Sequence, residues 1–249
     1  MSLTPQERER YARHLALPGF GERAQERLRA GRVLVIGAGG LGSPALLYLA
    51  AAGVGRITIV DADCVALSNL QRQVLYASAE VGEPKAEAAA RRLRALNGCV
   101  EVVPRVERFE RGNALALVGD CDVVLDCSDN FATRYLVNDV CVQAGRPFVH
   151  GSVQGFTGQM SVFNWCGGPT YRCLYPEPPE SAPERGDGAV LGVLPGLIGT
   201  AQAAEAVKLL AGIGEPASGR LLLWDAWTTS VRTVRIAADP QRQAPRALD

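Results

Sequence analysis

The sequence is poor in the residues that build metal and disulfide frameworks. Its 249 residues include only two histidines, His14 and His150, and no CxxC pair. The seven cysteines, Cys64, Cys99, Cys121, Cys127, Cys141, Cys166 and Cys173, are scattered in odd number through apolar strands and one loop. That pattern suits reduced thiols and leaves a four-ligand zinc site without suitably spaced partners, so no structural zinc is expected. There is no excess charge either: 26 basic residues balance 26 acidic ones, which leaves no global field to draw the chain to nucleic acid or an anionic membrane. Long apolar runs are missing. Residues 45–54, the longest such stretch, are too short for a bilayer span, and the N-terminal MSLTPQERER has no apolar segment of a signal peptide. These absences point to a cytoplasmic protein without nucleic-acid or membrane partners. What is abundant is apolar side chain, 47% of residues, enough to bury one or two substantial cores.

Residues 33–63 read VLVIGAGGLGSPALLYLAAAGVGRITIVDAD: an apolar strand, a glycine-rich turn, an alanine-rich helix and a second apolar strand ending in aspartates. The spacing Gly37-x-Gly39-x-x-Gly42 lets the backbone turn tightly and bring its N–H groups, with those of Gly40 and Leu41, against phosphate at a helix N-terminus. An acidic residue about 20 positions on can then hold ribose hydroxyls, and Asp61 and Asp63 both qualify. The turn alone does not say which nucleotide.

Along the rest of the chain, Thr4-Pro5-Gln6-Glu7 combines an N-cap, a proline in the first turn and a capping-box glutamate, and predicts a helix through RERYARHLAL, ended by Gly19 and Gly21. A short helix over 22–30 leads into the first strand. After a polar stretch at 66–82, Pro84 opens a helix running to Leu96. Strands are expected over 100–106, 122–126, 147–151, 159–163, 220–225 and 230–236, with helices over 132–144 and 198–211. Residues 166–195 (CGGPTYRCLYPEPPESAPERGDG and its flanks) read as a long, mobile loop that can act as a lid. The fold class is α/β: a Rossmann-like mixed sheet, parallel in its N-terminal half and continued by antiparallel strands, with helices on both faces. It is read as one domain over 1–249, with N-terminal helices at 1–30, a nucleotide half at 31–150, and a second half at 151–165 and 196–237 around the loop.

Residues outside the glycine turn bear on the chemistry. Ser68-Asn69-Leu70-Gln71-Arg72-Gln73 places amides and a guanidinium after the ribose-binding aspartate, and Lys85 starts the next helix; both can reach a triphosphate. Asp129, followed by Asn130, falls at the C-terminal end of a strand, where open parallel sheets place their ligands, and suits Mg²⁺. An NAD-dependent oxidoreductase would share the glycine turn but leave Arg72, Lys85 and Asp129 without a purpose. A non-catalytic scaffold would have no use for those charges. Taken singly, each has a simpler reading, since a surface arginine or lysine is usually a solvated charge and an aspartate at a strand end is often a cap.

With these motifs in order, the chain resembles the MoeB/ThiF family, bacterial relatives of ubiquitin-activating enzymes. The likeness runs through Arg10-Tyr11-Ala12-Arg13-His14, the GAGGLGSP turn, Asp61-Ala62-Asp63, Ser68 to Gln73, Lys85, Asp126-Cys127-Ser128-Asp129-Asn130, Tyr171-Arg172-Cys173-Leu174, residues 199–210 and Pro216-Ala217-Ser218-Gly219. It implies an enzyme that uses Mg-ATP to adenylate the C-terminal glycine of a small ubiquitin-like sulfur carrier of the MoaD or ThiS type, ending in Gly-Gly, with release of pyrophosphate. By the same resemblance Asp61 binds ribose and the Gly39–Gly40 backbone approaches the phosphates. Asn69, Arg72 and Lys85 stabilise the transferring phosphoryl group, and Asp129 holds Mg²⁺. Arg13 reaches the site of the neighbouring subunit in a homodimer. Arg10 is an alternative to Arg13, and His14 and His150 are read as structural.

Departures from the family pattern narrow the expectation. Relatives often carry two CxxC pairs for zinc; here the first position reads Thr170-Tyr171-Arg172-Cys173 and the second pair is missing from the tail. Where many relatives have a cysteine before the helix at 198–211, this chain has Glu184-Arg185-Gly186-Asp187, so a persulfide or thioester step lacks a nucleophile there. Adenylation alone is expected, with sulfur supplied by a separate donor rather than by a rhodanese-like domain in cis. The pathway served, molybdopterin, thiamine, cysteine or siderophore synthesis, or even a small peptide substrate, stays open.

Overall fold

The computed structural model describes residues 2–179 and 189–246. Its centre is an eight-stranded sheet of order β3-β2-β1-β4-β5-β6-β7-β8. β1 (Arg32–Ile36), β2 (Arg56–Val60), β3 (Glu101–Arg105), β4 (Val123–Asp126) and β5 (Phe148–Gln154) are parallel. β6 (Thr157–Phe163), β7 (Arg220–Asp225) and β8 (Ser230–Arg235) continue the sheet antiparallel. The strand order reverses between β1 and β4, the switch point where such sheets open a ligand crevice at their C-terminal ends.

The parallel strands are apolar runs because both faces are covered. Val33, Val35, Ile57, Ile59, Val123 and Leu125 point into one core, packed by α3 (Gly21–Ala30), α4 (Gly42–Ala52), α5 (Lys85–Leu96) and α9 (Val193–Ala211). Leu34, Ile36, Val60, Val124, Phe148 and Phe163 point into the other, with α6 (Arg111–Gly119) and α7 (Phe131–Ala144). The expected mixed α/β sheet with helices on both faces is therefore present.

Four local expectations need correction. The N-terminal helix is not continuous: α1 (Pro5–Arg10) has the expected capping box between Thr4 and Glu7, but the chain breaks at Tyr11 before α2 (Ala12–Leu15). Tyr11 is buried against Gly53, where a Cβ would collide with its ring, and its hydroxyl accepts a hydrogen bond from Asn97 Nδ2 at 2.9 Å. Helix α6 was not anticipated; RGNALALVG is short, carries two glycines and has little polar–apolar contrast. Helix α9 begins five residues before the expected start at 198, taking in Pro195. The expected loop at 166–195 contains a short helix, α8 (Tyr171–Leu174), and a bridge from Val190 to Gly155. Residues 180–188 of that expected loop, including Glu184 to Asp187, lie outside the described residues. No helix among the described residues is long and apolar enough to cross a membrane.

Candidate active site

The glycine turn joins β1 to α4 at the switch point. Gly37 has φ +92°, in the region that only glycine enters freely. A Cβ there would also meet the Cys127 carbonyl oxygen at 2.8 Å, and one on Gly42 would fall on the Gly37 carbonyl oxygen. The turn is thus pressed against the end of β4. The Gly37 N–H donates to the Val60 carbonyl at 2.9 Å, and the Ala38 N–H to Asp61 Oδ2 at 2.7 Å. The N–H groups of Gly39, Gly40 and Leu41 meet no protein acceptor among the described residues. Free N–H groups at the start of an 11-residue helix form an anion cradle.

Asp61 closes one side of the cradle. Its second oxygen accepts the Asp63 N–H at 2.8 Å, which leaves lone pairs on both oxygens for hydroxyl donors. Burial pushes its carboxyl above the usual carboxylate range against the pull of those two N–H bonds and of Lys85. Lys85 opens α5. Its side chain is 7% exposed, and Nζ donates to Asp63 Oδ2 at 3.1 Å, while Asp63 itself is 62% exposed. The other two ammonium protons meet no protein acceptor among the described residues. Tyr76, which the sequence did not single out, ties these parts together. Its hydroxyl donates to the Ala38 carbonyl at 2.8 Å and lies 3.4 Å from the Lys85 carbonyl.

Residues 68–73 wrap over the turn. Ser68 is exposed in a 3₁₀ turn over Leu67–Asn69, and its carbonyl accepts Arg72 Nη1 at 3.2 Å. The half-buried Asn69 accepts the N–H groups of Arg72 and Gln73. The Arg72 stem lies 3.5 Å from where a Gly40 Cβ would stand, and Gln73 Nε2 lies 3.5 Å from the same position on Gly39. Gln73 is buried, with Oε1 unpartnered among the described residues. Gln71 abuts Gly192, just before α9, and Pro195 of α9 comes within 3.0 Å of a Cβ on Gly40. Leu70 and Leu41 turn instead to the core. The structure therefore gathers Gly37, Gly39, Gly40, Gly42, Asp61, Asp63, Gln71, Arg72, Gln73 and Lys85 around one cradle.

Two other expected residues stand differently. Asp129 is exposed just past β4 and, among the described residues, touched only by Asn130 Nδ2 at 3.4 Å, so its oxygens face no other protein donor there and suit a hard cation. Asn130 is the N-cap of α7, its side chain accepting the Thr133 N–H at 2.9 Å. Arg13 is exposed and makes no side-chain hydrogen bond or ion pair among the described residues. With Tyr11 seated on Gly53, its segment lies at the C-terminal end of α4, the opposite end of that helix from the glycine turn, about 16 Å away. Arg10 is occupied, donating to the Leu96 carbonyl at 3.1 Å. His14 Nδ1 bonds Gln25 Oε1 at 3.1 Å and its ring lies 4.9 Å from that of Phe20.

Beneath the site is a pair legible only in the fold. Asp126, last in β4, is in register with His150 on β5, and His150 Nδ1 lies 2.8 Å from Asp126 Oδ2 with both side chains buried. Burial pulls the His150 imidazole below its usual range, so the neutral ring donates to the carboxylate. Burial raises the Asp126 carboxyl, but the hydrogen bond from His150, the charge of Arg134 and the hydrogen bond from Ser128 hold it below the ordinary range. From α9, Gln202 Nε2 donates to the carbonyls of Asp126 (2.8 Å) and Val149 (3.1 Å). In the segment 170–173 that stands in place of a CxxC pair, Thr170 Oγ1 lies 3.4 Å from Cys173 Sγ and donates to the Arg242 carbonyl at 3.0 Å. No cluster of three His, Cys, Asp or Glu stands together among the described residues.

The profile of the ThiF family matches residues 11–245, nearly the whole chain. The chain belongs to the ThiF family. A curated relative, the sulfur carrier protein adenylyltransferase of Thermus thermophilus, is 48% identical over 97% of this chain and 92% of its own length. The mouse adenylyltransferase and sulfurtransferase MOCS3 is 52% identical over 91% of this chain, which spans only 50% of that relative. A crystal structure of Escherichia coli MccB with MccA-N7isoAsn has the same fold, with TM-score 0.84 over 94% of this chain and 73% of that one at 22% identity. As a ThiF-family member aligned over nearly its full length with an adenylyltransferase, the chain is an enzyme of the adenylyltransferase type.

Proposed function

We propose that this ThiF-family enzyme adenylates the C-terminal glycine of a small ubiquitin-like sulfur carrier ending in Gly-Gly, using ATP. The observation that carries the reading is the cradle itself. Free N–H groups of Gly39 to Leu41 stand beside Asp61, with Lys85 held to the neighbouring Asp63 and the Arg72 stem against Gly40, a set that suits a ribose and a chain of phosphates. The carrier's carboxylate is ionised at neutral pH and needs no general base. Its oxygen forms a bond to the α-phosphorus, the bond from that phosphorus to the bridging oxygen breaks, and pyrophosphate leaves. The protein's part is to neutralise charge that shifts toward the leaving group. Lys85 and Arg72 supply cations, Asn69 an amide and the turn its N–H groups. Mg²⁺ held by Asp129 would supply further charge on the phosphate oxygens; one free carboxylate plus phosphates is an ordinary donor set for that ion.

The position of Arg13, far from its own turn, favours delivery to the site of a second copy in a homodimer. On the same reading, residues 31–150 form the nucleotide half and 151–165 with 196–237 receive the carrier within one domain, sulfur comes from a separate donor, and the enzyme works in the cytoplasm. ATP–pyrophosphate exchange with candidate Gly-Gly carriers tests the proposal, comparing wild type with Asp129→Ala. Carrier-dependent exchange abolished by the substitution supports it. ATP binding without exchange for any carrier means another substrate, and binding of NADH in place of ATP reopens the oxidoreductase reading.

A further inference from the structure

Below the exposed Asp129 lies a carboxylate that the proposed chemistry does not use. Asp126 is fully buried. Its Oδ1 accepts two hydrogen bonds from one residue, the Ser128 N–H at 3.1 Å and hydroxyl at 2.6 Å. Its Oδ2 is taken by His150 and its carbonyl by Gln202. On the other side of Ser128, Arg134 in the first turn of α7 donates Nη2 to the Ser128 carbonyl at 3.3 Å, its guanidinium lying 5.2 Å from the Phe131 ring centre. Ser128 is therefore gripped at N–H, hydroxyl and carbonyl, and the next residue is Asp129. A buried carboxylate is expensive to keep in a core unless every lone pair that matters is hydrogen-bonded, and here the bonds converge on the peptide that precedes the cation ligand.

We propose that Asp126, Ser128 and Arg134 are positioning residues that fix the peptide before Asp129 and so aim its carboxylate at the nucleotide-bound divalent cation. His150 locks Asp126 from beneath. The arrangement resembles the supporting shell of a metal site, where hydrogen bonds to the residues behind a ligand set its orientation. The inference rests on the adenylation reading only in taking Asp129 as the cation ligand.

The test uses Mn²⁺ as probe, its affinity for the full-length protein with a non-hydrolysable ATP analogue measured by electron paramagnetic resonance, beside thermal melting. Ser128→Ala deletes the hydroxyl bond and leaves the N–H bond, whereas Ser128→Thr restores the hydroxyl. Mn²⁺ affinity should fall about tenfold in Ser128→Ala and recover to within about twofold of wild type in Ser128→Thr. Metal-free binding of the analogue should stay near wild type, while the melting temperature should fall by several degrees in Ser128→Ala, which takes a bond from a buried carboxylate, and recover in Ser128→Thr. Arg134→Gln should act in the same direction. Unchanged Mn²⁺ affinity in Ser128→Ala, or no recovery in Ser128→Thr, overturns the proposal. So does a loss that falls equally on metal-free nucleotide binding. Mn²⁺ binding is read without turnover, so a wild-type protein that binds Mn²⁺ and the analogue but shows no carrier-dependent exchange sinks the adenylation reading and leaves the positioning role standing.

Discussion

Replacing Lys85 with methionine separates what this residue does for catalysis from what it does for the fold. Its ammonium is nearly buried yet, among the described residues, paired only with Asp63, whose side chain is 62% exposed. An ion pair with one partner so open to water contributes about 1 kcal/mol or less to stability. Methionine keeps the packing of the aliphatic stem, so the melting temperature of Lys85→Met should stay within about 4 °C of wild type. The chemical step is another matter. A preorganised donor aimed at developing charge is typically worth about 10²–10³ in rate, and the two ammonium protons that Asp63 leaves free point to that use. We expect ATP–pyrophosphate exchange at saturating ATP and carrier to fall by that factor. A rate within about threefold of wild type would refute the assignment of Lys85 to the transferring phosphates. A melting temperature that collapses along with the rate would show that the residue serves the fold.

Three further substitutions probe the cradle from other sides. Gly42→Ala puts a methyl on the Gly37 carbonyl oxygen and should cost about 1–3 kcal/mol of stability, read by thermal denaturation. Gly39→Ala meets, among the described residues, only Gln73 at 3.5 Å and should leave the melting temperature alone while weakening ATP binding in calorimetry. Because burial raises the Asp61 carboxyl, its ionised form is lost on acidification at a higher pH than for an ordinary aspartate. ATP affinity should therefore weaken as pH falls, with a step above the usual carboxylate range that disappears in Asp61→Asn, a variant that retains the titration of the nucleotide's own phosphates. If Arg13 acts across a dimer, mixing inactive Arg13→Ala with inactive Asp129→Ala subunits should regain about a quarter of wild-type exchange, from the one intact composite site of each mixed dimer. No recovery after verified subunit exchange would place Arg13 in its own chain's site or outside the chemistry.

Local pattern determined a great deal here. The glycine spacing, the flanking apolar strands, the aspartates after β2, the start of α5 at Lys85 and the capping box at Thr4 and Glu7 are each written in a few neighbouring residues, because turn geometry, helix ends and strand burial depend on short-range sterics and hydrogen bonding. The strand–turn–helix–strand unit from β1 to β2 and the start of α5 were thereby legible in the sequence, together with most of the residues the structure gathers around the turn. Local pattern misread what neighbours in space decide. Tyr11 breaks the first helix because Gly53, 42 positions away, offers its ring a seat. Helix α6 forms from a weakly patterned segment because the second face of the sheet needs covering. Pro195 and Gly192 come to Gly40 and Gln71 because α9 packs along α4. His150 meets Asp126 only because β5 pairs with β4 in that register. Nothing local distinguishes such residues from other polar or small ones. Their roles are set by strand order and helix packing, which sum many long-range contacts that no short stretch of sequence contains.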